Sequence, residues 1–168
     1  HVISEPIFYL VFPPNQILNV KRETPAWMHR LRNEGWEVET FSIAEHVTDI
    51  IEKAPLRRIW LTADQKAPLA WGKTNASLAN AIGNGALQSR IEAKLAELEG
   101  KSKAILLVTD LEALHPYTRI GVIEGKLQGK FHVPTVFLYP GVRTGKTRLK
   151  FLGFYPDDGN YRSVHVGG

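Results

Sequence analysis

Three uninterrupted apolar runs constrain this chain more than any other feature. Ile7 to Phe12, Ala104 to Thr109 and Val133 to Tyr139 are rich in β-branched and aromatic residues and show no regular polar alternation. A strand with one face in water alternates. A strand that is apolar throughout must be buried on both faces, which points to a parallel sheet covered by helices. Pro13-Pro14 stops the first run, and Pro140-Gly141 is expected to end the third.

The stretches between the runs carry helical signals. Thr24-Pro25 has the form of an N-cap followed by proline at the first helical position, with Trp27, Met28 and Leu31 as the apolar face and Gly35 as the stop. Glu37 to Ile43 reads as a further strand. Ser42 and Glu45 have capping-box spacing, after which Ile43, Val47, Ile50 and Ile51 recur at helical period up to Pro55. Arg58 to Thr62 reads as either a strand or a helical turn, and Lys66 to Trp71 as loop. Asn75 to Ile82 is a short helix ended by Gly83-Asn84-Gly85. Leu87, Ile91, Leu95 and Leu98 predict an amphipathic helix closed by Gly100. Another helix is expected to start near Pro116, burying Ile120, Ile123 and Leu127, with Gly121 and Gly125 allowing close packing on the sheet. Strands near 147–154 and 161–166 lie too close together for a helical crossover and are expected to run antiparallel to a neighbour. The expectation is a single α/β domain over residues 1–168, Rossmann-like, with a mostly parallel sheet and antiparallel C-terminal strands.

Composition narrows the chemistry. The absence of cysteine excludes a disulfide framework, a thiolate zinc site and a thiol nucleophile, and a cytoplasmic protein is the simplest fit. The first apolar run is too short to span a bilayer, and no membrane partner is expected. The net charge of +4 is modest for a dedicated nucleic-acid protein, so where the charge sits matters more than its sum.

Two stretches imitate a phosphate-binding loop. Gly141 to Thr147 has one residue too few between its glycines and leads into a strand-like segment, whereas the mechanism needs a helix N-terminus aimed at the phosphates. Ala67 to Thr74 satisfies a relaxed form, with Lys73 as the lysine and Asp110 as the acidic strand end for magnesium. Its Pro68-Leu69-Ala70-Trp71 is bulky where backbone amides must wrap a phosphate, so the helix-start reading is preferred and no cofactor is expected. The histidines show no metal-ligand spacing, and no metal or catalytic residue is assigned.

Two constellations remain. Asp110, Glu112, His115, Tyr117 and Arg119 follow a core strand and so lie at the carboxyl edge of the sheet, where open α/β sheets bind ligands. Asp110, Glu112, His115 and Arg119 form either an acid–base cluster or a turn capped by Asp110, with a helix start at Pro116 and Arg119 paired to a carboxylate. In the tail, an extended 146–151 would project Lys146, Arg148 and Lys150 to one face, with Arg143 adding charge in the loop. Such a surface suits an acidic protein patch or nucleic-acid phosphate, and equally suits an edge strand protected by charge.

The residues also carry a family likeness. Pro13-Pro14 after the first strand, Arg30-Leu31 leading to Val38, Leu107 to Thr109 through Leu114-His115-Pro116-Tyr117, and Arg119 resemble the BrxB family of bacteriophage-exclusion (BREX) defence systems. So do Phe137 to Gly141, Gly145, Leu149, Phe151, Gly153 and Asn160-Tyr161-Arg162. The chain departs from the family where Asp110-Leu111-Glu112 replaces a glycine-rich stretch and Thr144 to Thr147 replaces Asp-Gly-Gln-Ser, as a divergent member would.

The resemblance implies a non-enzymatic bacterial scaffold without cofactor. Its partners would be a PglZ-like protein and other BREX components, a BrxC-type ATPase and a DNA methyltransferase among them. It transfers no catalytic residue. The candidate contacts are Arg143, Lys146, Arg148, Lys150, Asp110, His115, Tyr117, Arg119, Asn160, Tyr161 and Arg162. The alternatives are a nucleic-acid-binding accessory protein using the basic hairpin, and a small nucleotide-binding ATPase.

Overall fold

The computed structural model of this chain describes residues 5–54, 78–144, 149–151 and 164–167. The expectations for Arg58 to Thr62 and for the loop-like Lys66 to Trp71 lie outside them.

The apolar runs form the sheet they imply. Strands β1 (Ile7–Phe12), β2 (Glu37–Ser42), β3 (Ala104–Thr109), β4 (Thr135–Arg143) and β6 (Val164–Gly167) lie in the order β2-β3-β4-β1-β6, every neighbouring pair parallel. Strand β5 (Leu149–Phe151) turns back antiparallel on Gly141 to Arg143 of β4, off this path. Two expectations are corrected. The last strand adds to β1 in parallel instead of closing an antiparallel tail, leaving the short β5 as the antiparallel element among the described residues. The strand order also differs from the 3-2-1-4-5-6 of a Rossmann sheet. The chain crosses from β1 past two strand positions to start β2, then works back.

Strand β4 does not end at Pro140-Gly141. Pro140 faces Phe12, the last residue of β1, and the antiparallel pairing with β5 begins one residue later. Proline has no N–H for a ladder, so it is tolerated where one partner ends and the next begins.

Register divides the sheet into two faces. Ile7, Tyr9, Val11, Phe41, Leu106, Val108, Phe137 and Tyr139 share one face and are buried. Helices α2 (Ile43–Lys53), α3 (Ala86–Leu98) and α4 (Ile120–Lys126) contribute Ile43, Val47, Ile50, Leu87, Ile91, Leu95, Leu98, Ile120 and Ile123 to the same core. Tyr9 stacks on Phe137 at 5.0 Å between centroids, and its hydroxyl donates to Glu124 of α4 at 3.0 Å. Residues 78–83 are helical ahead of α3. Gly125 is exposed with open space around it, so close packing on the sheet is not its role.

Helix α1 (Ile17–Asn33) lies on the other face and buries no residue completely. It starts eight residues before the expected Pro25, which sits inside it. The half-buried Ile17, Val20, Thr24, Trp27, Met28 and Leu31 recur at helical spacing, so the amphipathic stripe runs straight through the proline. The Thr24 hydroxyl donates to the Val20 carbonyl at 2.7 Å in that turn. Among the described residues no helix is long and apolar enough to cross a membrane.

Candidate functional site

A cavity of about 260 Å³ opens between α1 and the carboxyl ends of β2 and β3. Its walls are apolar where Phe12, Ile17, Val20 and Leu138 line it, and polar where Ser42, Thr109, Asp110, Glu112, Glu45 and Lys21 converge.

The polar side is built around Asp110. This residue terminates β3 in the left-handed conformation, φ 61° and ψ 39°, which a short polar side chain tolerates better than a branched one. The turn aims the carboxylate at neighbouring elements instead of capping the 3-10 turn that follows, Leu111–Leu114. Its Oδ2 accepts from the Ser42 hydroxyl, 68 residues away in the chain, and from the Thr109 hydroxyl at 3.3 Å. Its Oδ1 pairs with Lys21 Nζ at 3.1 Å, and the same ammonium meets Glu112 Oε1. Ser42 serves twice: the expected capping interaction forms, with Ser42 Oγ accepting from the Glu45 amide at 3.3 Å.

Electrostatics follow from this geometry. Burial pushes the Asp110 carboxyl up, but the Ser42 and Lys21 hydrogen bonds and the Lys21 charge outweigh it and hold the group below its ordinary range. Burial likewise pushes Lys21 down, and the bonds to Glu112 and Asp110 outweigh it, leaving the ammonium raised. Both members of the pair are thus fixed in their charged forms.

Of the residues expected from the sequence, Asp110 and Glu112 meet at Lys21. His115, exposed at the end of the 3-10 turn, Tyr117, packed against the core, and Arg119, at the N-cap of α4, do not line the cavity. The structure therefore does not assemble one acid–base cluster from that segment at this cavity. Nor is Asp110 an open strand end for magnesium, since Lys21 occupies it. Among the described residues no group of acidic or histidine side chains has the arrangement of a metal site. Arg143 ends β4, and Lys150 lies opposite Val142 in β5. Lys146, Arg148, Asn160, Tyr161 and Arg162 lie outside the described residues, as does the Ala67 to Thr74 stretch. Lys21, Ser42 and Thr109 join the site only through the fold, with no site motif in the sequence to mark them. Lys21 falls at the same helical spacing as Ile17 and Thr24, so it faces the sheet once α1 is known to start at Ile17.

A second hollow, about 430 Å³, lies on the opposite face beside α2 and α3. There the His46 ring stacks on Phe41, centroids 3.9 Å apart and 3° from parallel. Arg90 Nη1 stands 3.1 Å from His46 Nδ1 and Arg90 Nη2 2.8 Å from Asp49. A guanidinium only donates, so Nδ1 accepts and the imidazole is neutral. Burial and the Arg90 charge hold its pKa below the ordinary value.

No curated protein and no solved structure matches this chain. The sequence profile of the family described as "BREX protein BrxB" matches residues 39–166, from β2 through β6. That span is well over half of the chain and contains Ser42, Asp110, Glu112 and Arg143, so the chain belongs to the BrxB family of BREX defence-system components.

Proposed function

We infer that this chain is a non-enzymatic adaptor of a BREX anti-phage complex in the bacterial cytoplasm, docking onto a PglZ-like partner. Membership of the BrxB family carries this reading. The cavity chemistry is consistent with it. A general acid or base works best with a pKa near the working pH, whereas Asp110 is shifted down and Lys21 up, each away from neutrality. Such a pair holds α1 to the sheet and presents fixed charge; it does not shuttle a proton.

The test is a pull-down of tagged chain from cells carrying its neighbouring genes, with and without nuclease and at high salt. A stoichiometric PglZ-like protein that survives nuclease is the expected result. Recovery of nucleic acid alone, lost in salt, would replace the adaptor reading with a phosphate-binding role for the basic hairpin.

A further inference from the structure

The cavity beneath α1 lies at the carboxyl edge of a parallel sheet, where open α/β folds take up ligands. Its 260 Å³ falls just below the range of ligand pockets, about 300–1,000 Å³, so its guest is small. Water reaches its polar end, where the Lys21, Glu112 and Asp110 side chains are 47%, 25% and 19% exposed. Phe12, Ile17, Val20 and Leu138 give it an apolar wall.

The charge in this cavity is one-sided. Asp110, Glu112 and Glu45 line it against a single ammonium, Lys21. Helix α2 begins there at Ser42, and the positive end of its dipole would draw an anion, but Asp110 and Glu45 already lie beside that end. What these carboxylates take is visible in the fold itself, because the Lys21 ammonium sits between Asp110 Oδ1 and Glu112 Oε1. That ammonium uses one oxygen of each. Glu112 Oε2 and the Glu45 carboxylate have no hydrogen-bond partner among the described residues.

We propose that the cavity binds a small organic cation, a primary amine with a short apolar body. Glu112 holds the ammonium, and Phe12, Ile17, Val20 and Leu138 receive the body. Lys21 competes for the same carboxylates from a tether on α1. A carboxylate or phosphate guest would meet the excess of like charge, and a neutral alcohol would gain the apolar wall without the ion pair. The site goes beyond the adaptor reading and does not rest on it.

The test titrates the full chain with isopentylamine hydrochloride at neutral pH and follows the backbone amide spectrum, with sodium chloride keeping the ionic strength constant. Isopentanol and sodium isocaproate, of similar shape, are titrated in parallel. The amides of Ser42, Thr109, Asp110 and Glu112 are expected to shift together and saturate with the amine alone. No saturable shift at these residues overturns the proposal, and an equal response to the alcohol or the carboxylate overturns the choice of a cation. Glu112→Gln is expected to weaken the amine about fivefold while the rest of the spectrum stays in place. An unchanged affinity removes Glu112 from the site and overturns the proposal. Lys21→Met takes away the tethered competitor, so it is expected to tighten the amine about threefold, which a purely structural Lys21 would not do. An affinity that does not rise in the folded variant overturns the competition; if Lys21→Met does not fold, Glu112→Gln decides. These titrations use the chain by itself, so their failure leaves the adaptor reading standing, and a pull-down without a protein partner leaves the cavity assignment standing.

Discussion

Asp110 joins elements that are remote in sequence, because its carboxylate accepts from Ser42 and pairs with Lys21. Asp110→Asn is expected to cost about 1–2 kcal/mol in urea unfolding, the low part of the range for hydrogen bonds to charged groups because the site is half in water. Its folded pKa is depressed, so the stabilisation is present above the unfolded value and is lost as pH falls through the folded one. The gap between wild type and Asp110→Asn should therefore close below about pH 4. His46 behaves with the same sign for a different reason. Burial and Arg90 disfavour its charged form, so the unfolded chain takes up the proton first. Wild type should lose stability as pH drops below about 6.5, and His46→Gln should flatten that part of the curve. A profile identical for the two proteins would remove His46 from the account.

At the scale of elements, α2 illustrates a boundary that reads locally. The Ser42 hydroxyl caps Glu45, as the spacing predicts. Because it also donates to Asp110, Ser42→Ala should cost more than a cap alone, about 1–3 kcal/mol, and part of that cost should vanish in the Asp110→Asn background. Helix α1 is the opposite case. Thr24-Pro25 has the form of a start signal, yet the helix runs through it because the apolar stripe continues on both sides. Proline leaves the Lys21 carbonyl without its helical donor, and Pro25 is exposed. Pro25→Ala is therefore expected to stabilise the protein by roughly 1–3 kcal/mol and to slow amide exchange in the turn around Lys21. A loss of stability would mean that the proline ring itself is required at this position.

At the scale of the whole molecule, strand β6 returns from the far end of the sequence to pair beside the first strand. Strand β1 lies between β4 and β6, with Phe8 to Val11 facing Val164 to Gly167. Removing residues 164–168 should unpair an apolar strand edge, lower the unfolding midpoint and produce larger species in size-exclusion chromatography. A truncated chain that stays monomeric with its midpoint intact would show that β6 is dispensable.

The local signals sufficed for the elements. Unbroken apolar runs specify buried parallel strands, and Leu87, Ile91, Leu95 and Leu98 specify α3, because burial on both faces and helical period are written in neighbouring residues. The likeness to BrxB was legible for the same reason, resting on short strings at strand ends. Tertiary structure alone decided the strand order, the parallel return of β6, the start of α1 at Ile17 and the meeting of Lys21, Ser42 and Asp110. Each depends on which distant segments share a sheet edge. That choice is set by burying the whole apolar surface at once, a global balance that no local window of the sequence contains.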